Sequence, residues 1–161
     1  MKRINIGRAA GVMGFVGIIG GWIFTVRKLN EKIDKKDARI SKFKNYFDVT
    51  NAWVNLKNQG RNLEEYFVKN GWRRIAIYGM GELGNRLAEE LKGSSITIEY
   101  SIDKNADSVF AETEVKRIDE ELPDVDVIVV TPFFVYDEVE QALREVVDCP
   151  IVSIEDVVFS M

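Results

Sequence analysis

The stretch from Arg74 to Asp103 limits the fold more than any other part of the chain. It opens on Ile75-Ala-Ile-Tyr78, passes through Gly79-Met-Gly-Glu-Leu-Gly84, continues as a helical run and closes on Ile96-Thr-Ile-Glu-Tyr-Ser-Ile-Asp103. The pattern reads strand, glycine turn, helix, strand. Gly79 permits the tight turn out of the first strand, Gly81 lets backbone approach a phosphate, and Gly84 allows the helix to lie close on the strand. The helix N-terminus then faces that phosphate. Asp103 ends the second strand about 20 residues on, where a carboxylate can accept from ribose hydroxyls. Met80, Glu82 and Leu83 within the turn, Lys104 beside Asp103, and Thr131 at the end of a later strand complete the candidate ligand-binding set. Glu82 runs against the simplest version, because its carboxylate repels a pyrophosphate unless it turns away or bonds a sugar hydroxyl. The same glycines and Asp103 also have a purely structural reading, in which they serve turn, packing and capping with no ligand.

The rest of the second half alternates in the same way. Upstream, Asn62-Leu-Glu-Glu65 has capping-box spacing and opens a short helix that ends near Asn70-Gly71. Downstream come a polar turn, a brief extended piece around Val115-Lys-Arg117, and a short helical segment closed by Pro123. Asp126-Val-Ile-Val-Val130 suits a buried parallel strand ended by Thr131-Pro132. A helix is expected from about Asp137 to Val147 with Glu140 at capping-box spacing, then a strand at Ile151-Val-Ser153 and a last helical turn from Glu155 to Phe159. Residues 61–161 therefore predict an α/β domain: a Rossmann-like open parallel sheet of four or five strands with helices on both faces. That is one mononucleotide-binding half and a little more, so an adenine-side or nucleotide-sugar ligand is easier to house than a whole NAD.

The first third has a different character. Residues 1–8 form a short basic tail, and residues 9–26 carry no charge before Arg27 and Lys28. Eighteen helical residues span about 27 Å, close to the hydrocarbon thickness of a bilayer. The expectation is a single transmembrane helix. A secretory signal peptide is the rival, but no small-x-small cleavage site follows; a buried core helix is the other alternative. Basic residues concentrate downstream, which keeps the C-terminal domain in the cytoplasm. Gly7, Gly11, Gly14, Gly17 and Gly21 recur at steps of three or four and offer a strip for helix association, although glycine is also simply frequent in such helices. Residues 27–60 read as a basic helical stem. Val26, Leu29, Ile33, Lys36, Ile40, Phe43 and Phe47 make a heptad seam, either a short coiled coil or a stripe that folds back on the domain. The aromatic-rich continuation, Tyr46, Phe47, Trp53, Val54 and Leu56, is expected to pack on something. The fold class is thus an α/β domain preceded by a long N-terminal transmembrane and coiled-coil-like helix.

Charge and composition narrow the chemistry. Residues 1–72 hold 14 basic and 6 acidic side chains, and residues 73–161 hold 8 and 20. A basic stem beside an acidic domain suits anionic lipid headgroups and does not suit a nucleic-acid partner. There is no histidine and one cysteine, Cys149. Zinc chemistry and a Ser-His-Asp triad are therefore disfavoured, no metal site is expected, and nothing asks for an oxidising compartment. Short-chain sugar-nucleotide enzymes need a tyrosine with a lysine four positions later. Tyr136 is followed at that distance by Glu140, and Tyr78 by Glu82. No catalytic residue is assigned, and Tyr136 is placed near the ligand end of the sheet as a contact only.

From about Tyr46 onward the chain resembles the small Rossmann-like domains associated with bacterial capsular and other surface-polysaccharide synthesis. The resemblance is carried by Ile75-Ala-Ile-Tyr-Gly-Met-Gly-Glu-Leu-Gly84, Tyr100-Ser-Ile-Asp103-Lys, Asp126-Val-Ile-Val-Val-Thr-Pro132 and Val152-Ser-Ile-Glu155. It is also similar to the nucleotide-sugar-binding N-terminal domains of some sugar acetyltransferases. The resemblance implies recognition of a nucleotide or nucleotide sugar at Gly79, Gly81, Gly84 and Asp103, with a UDP-sugar or NAD as the cofactor candidates. It implies no reaction. The expected function is a non-catalytic, membrane-anchored accessory of surface-polysaccharide assembly at the bacterial inner membrane. Its partners would be the membrane, copies of itself through the glycine strip and stem, or a membrane glycosyltransferase. The alternatives are an NAD-dependent sugar-nucleotide oxidoreductase or epimerase, and a structural adaptor whose fold holds no ligand.

Overall fold

The computed structural model describes residues 27, 28, 33, 35–37, 39–109 and 111–161. The expected transmembrane segment 9–26, the glycine strip, and Val26 and Leu29 of the seam lie outside the described residues. Among the described residues no helix is long and apolar enough to cross a membrane. The chain divides into two compact units, residues 1–45 and 46–161. In the first, the described residues are helical, and Ile33, Ile40 and Phe43 of the heptad seam are exposed.

The second unit is built around β1 (Arg74–Tyr78). A glycine turn leads from it into α3 (Glu82–Leu91) and back to β2 (Thr97–Ile102). The chain then continues through the two-residue β3 (Val115–Lys116), β4 (Val127–Val130), α4 (Tyr136–Leu143), β5 (Ile151–Ser153) and α5 (Ile154–Phe159). Before β1 come α1, the part of a longer helical run that lies in this unit, residues 46–58, and α2 (Glu64–Lys69). All strand pairs are parallel, in the order β3-β2-β1-β4-β5. The α/β class and the parallel sheet expected from the alternation are what the chain forms, with five strands.

Side chains of a strand alternate between faces, and a central strand must therefore be apolar on both. Ile75 and Ile77 of β1 join Val127 and Val129 in one core, where α1, α2, α3 and α5 supply Trp53, Phe67, Leu87 and Val157. Ala76 and Tyr78 join Ile128 and Val130 in the other, where α4 supplies Val139 and Leu143. Helices thus cover both faces unequally, four against one. The deficit on the α4 side is made up by irregular chain: Ile118 and Leu122 pack there without a helix. The helical segment expected before Pro123 is absent. Pro123 biases the residue before it away from helical backbone, and residues 117–122 run as a turn followed by irregular chain. The helix expected from Asp137 to Val147 starts one residue earlier and stops at Leu143, and Glu140 pairs with Arg144 at 2.6 Å instead of capping.

Register sets the working end of the sheet. Tyr78 pairs with Ile102 on one side and Val130 on the other, so the three strands finish level. Between Ile75 and Ala76 the register against β2 slips past Glu99, a bulge whose side chain bonds the Arg74 guanidinium at 2.8 Å. The slip turns the strand over: Ile96 and Ile98 pack in the first core, and Tyr100 and Ile102 in the second.

Candidate functional site

The residues that follow the level strand ends, Gly79, Asp103 and Thr131, are side by side as a consequence of that register. Gly79 has φ +89°, and a Cβ there would stand 2.6 Å from Pro132 Cδ, so the turn requires glycine. The Thr131 hydroxyl lies 2.5 Å from the Gly79 carbonyl oxygen and 3.2 Å from that of Tyr78. Asp103 uses both carboxylate oxygens: Oδ2 accepts from the Met80 N–H at 2.9 Å and Oδ1 from the Asn105 N–H at 2.8 Å. The turn is fastened on both flanks before any ligand is considered.

Beyond the turn, Gly81 is the N-cap of α3, and a Cβ built on it meets nothing within 4 Å. The first N–H groups of a helix have no partner inside it, and here they open beside a cleft of about 330 Å³. This lies toward the small end of ligand pockets and suits one nucleotide unit better than a dinucleotide. The polar lining includes Gly81, Glu82, Asp103, Lys104 and Asn105, and the apolar lining Leu83, Pro132, Phe134, Val135 and Val139. Tyr46 of α1 completes it. In an open α/β sheet such a crevice, at the carboxyl ends of the strands where chain order reverses from β1 to β4, is where ligands bind.

Glu82, in the first turn of α3, does not carry its charge unpaired. Its Oε1 lies 2.6 Å from Arg86 Nη2, and Arg86 holds the carboxyl below the usual carboxylate range, helped by the Tyr46 hydroxyl. The carboxylate still lines the cleft, with its charge paired to the Arg86 guanidinium. Burial, and next the Asp103 charge, pushes the Tyr78 phenol up.

Of the residues singled out in the sequence, Gly79, Gly81, Glu82, Leu83, Asp103, Lys104 and Thr131 line the cleft. Met80 and Gly84 do not. The Met80 side chain is 6% exposed and packs in the first core, so only its N–H reaches Asp103. Gly84 is buried against the Gly79 carbonyl oxygen. Tyr136 is absent from the lining: its hydroxyl donates to the Ile151 carbonyl at 2.8 Å, and burial pushes its pKa up to about 12. Cys149 is half-buried, with its thiol pushed up by desolvation. Among the described residues no group of three acidic, histidine or cysteine side chains could hold a metal. Sequence reasoning missed Tyr46, Asn105 and the apolar wall from Pro132 to Val139. Asn105 had a signal, since an aspartate two residues earlier invites an Asx turn. The wall had another, since the segment after β4 borders the switch point in this topology.

Sheet order and cleft together define the protein as an α/β chain of Rossmann-like fold. Compared with protein-family models, curated proteins and solved structures, it matches none.

Proposed function

We propose that residues 46–161 are a nucleotide- or nucleotide-sugar-binding module without a reaction of its own. The observation that carries this reading is the cleft at the β1–β4 switch point, with Gly81 backbone open on one side and the Asp103 carboxylate beside it. A phosphate would lie on the α3 N-terminus, a ribose hydroxyl would donate to Asp103, and a planar base would rest against Pro132, Val135 and Val139. The non-catalytic part is supported by Tyr136, which is committed to a carbonyl and has no lysine partner. The cellular setting rests on sequence: an uncharged stretch at 9–26 between basic flanks would hold the module at the cytoplasmic face of a membrane, beside the enzymes of surface-polysaccharide assembly that the resemblance suggests.

The test is a calorimetric and thermal-shift titration of the full chain with AMP, UMP, UDP, a UDP-sugar and NAD. A ligand at 100 times its dissociation constant stabilises the folded state by about 2.7 kcal/mol. The expected result is stabilisation by a UDP-sugar or mononucleotide, lost in Gly81→Val, whose side chain would enter open space in the cleft. Silence across the panel would leave the structural adaptor as the function, and stabilisation by NAD well beyond AMP would favour the oxidoreductase.

A further inference from the structure

Three side chains gather where α1 meets the start of α3. Tyr46 and Glu82 both line the main cleft. Arg86, one helical turn past Glu82, pairs with it at 2.6 Å and also lines a second cleft of about 320 Å³ shared by α1 and α3. Glu82 is the acidic residue in the first turn of α3. A helix N-terminus stabilises an anion there, and an intramolecular carboxylate already fills that role. A guanidinium holds that carboxylate, and the Tyr46 phenol lines the cleft beside it. A guanidinium forks onto phosphate as readily as onto carboxylate, and a phenolic O–H donates to either.

Tyr46 is delivered by an element outside the strand–turn–helix unit. Val49, Trp53 and Leu56 seat α1 in the core, and Trp53 Nε1 donates to Glu90 Oε2 of α3 at 2.5 Å. Glu90 also accepts from the Leu63 N–H at 2.7 Å and faces Lys57 at 3.5 Å. With this helix fixed along α3 at that end, Tyr46, about two turns before Trp53, lines the cleft at the start of α3. Resting on the nucleotide reading above, we propose that Glu82 is a built-in stand-in for the ligand's phosphate. In the unliganded domain its carboxylate keeps Tyr46 and Arg86 in place; a bound nucleotide's phosphate displaces it and takes over those two donors. The site's ligands are therefore phosphorylated nucleosides rather than nucleosides, and the discrimination comes from α1 and Arg86 as much as from the glycine turn.

An ordinary surface ion pair at this spacing stabilises a helix slightly and has no bearing on ligand choice. The experiment separates the two by measuring, on the full chain, dissociation constants for UMP against uridine and AMP against adenosine; the ratio isolates the phosphate. Glu82→Gln removes the competing anion and is expected to tighten nucleotide binding several-fold with nucleoside binding unchanged. Arg86→Gln and Tyr46→Phe are expected to weaken nucleotide binding by a comparable factor, with Arg86→Lys recovering part of it. Both members of the ion pair are exposed, so these variants keep the fold, which circular dichroism checks. Weaker or unchanged nucleotide binding in Glu82→Gln, or an equal change for the nucleoside, overturns the inference and leaves the nucleotide reading standing. If the unaltered chain binds none of the four compounds and no UDP-sugar, both fall together.

Discussion

A Cβ on Gly84 would lie 2.2 Å from the Gly79 carbonyl oxygen, a backbone atom that cannot step aside, whereas three residues earlier a Cβ on Gly81 meets open space. The two glycines differ in surroundings, one packed against backbone and one facing open space. Gly84→Ala should therefore destabilise the domain by about 1–3 kcal/mol through overpacking of α3 on the turn. Gly81→Ala should cost less, about 0.5–1 kcal/mol for a poorer N-cap, and should weaken nucleotide binding, because Gly81 lines the cleft. Urea denaturation beside a binding titration reads both. Equal stability losses would show that the space at Gly81 is not free in solution. The close packing at Gly84 was legible in the glycine spacing itself. The role of Met80 was not, since a residue between two turn glycines looks exposed, and only tertiary packing folds its side chain back into the first core.

At the scale of elements, the lower end of the sheet is tied as firmly as the upper. Asp126, at the entry to β4, accepts from the N–H groups of Arg73 and Arg74 at 2.6 and 2.7 Å and so aligns β4 with the start of β1. These two bonds hold its carboxyl below the usual carboxylate range. A carboxyl lowered by folding adds stability above its unfolded pKa and loses that contribution as pH falls through the folded value. Acidification below the ordinary carboxylate range should therefore erode stability, and Asp126→Asn should be less stable near neutrality with a flatter acid limb. Denaturant midpoints measured from pH 7 downward check this; parallel curves for the two chains would remove Asp126 from the account. Strand positions were legible here because β1 and β4 are continuous apolar runs. The turnover of β2 was not. Ile96, Ile98, Tyr100 and Ile102 alternate without a break in the sequence, and the bulge at Glu99 that sends the first pair and the last pair to opposite faces leaves no mark on that pattern.

For the molecule as a whole, the decisive question is where the folding unit begins. The sequence places the α/β domain at residues 61–161, after Gly60, and the compact unit that holds it runs from Tyr46 to Met161. Residues 46–58 carry two interleaved apolar stripes. Val49, Trp53 and Leu56 are buried in the core, while Phe47 and Val54 remain 58% and 50% exposed. Sequence spacing shows that both stripes exist and cannot say which one meets the sheet, because that depends on how α3 and α5 leave a groove for it. Each large apolar side chain fully buried stabilises a fold by roughly 1.5–3 kcal/mol, so the three buried side chains together contribute about 5–9 kcal/mol. That is comparable with the entire stability of a small domain, about 5–15 kcal/mol. A chain cut at Arg61 also leaves the Glu90 carboxylate without Trp53 and Lys57, its partners from α1. Residues 46–161 should therefore melt in one cooperative transition. Residues 61–161 should show no such transition and should bind a hydrophobic dye, as a domain with an uncovered core does. Differential scanning calorimetry of the two chains decides it: a cooperative melt of residues 61–161 at the same midpoint would show that α1 is a passenger, and would take the Tyr46 wall of the cleft with it.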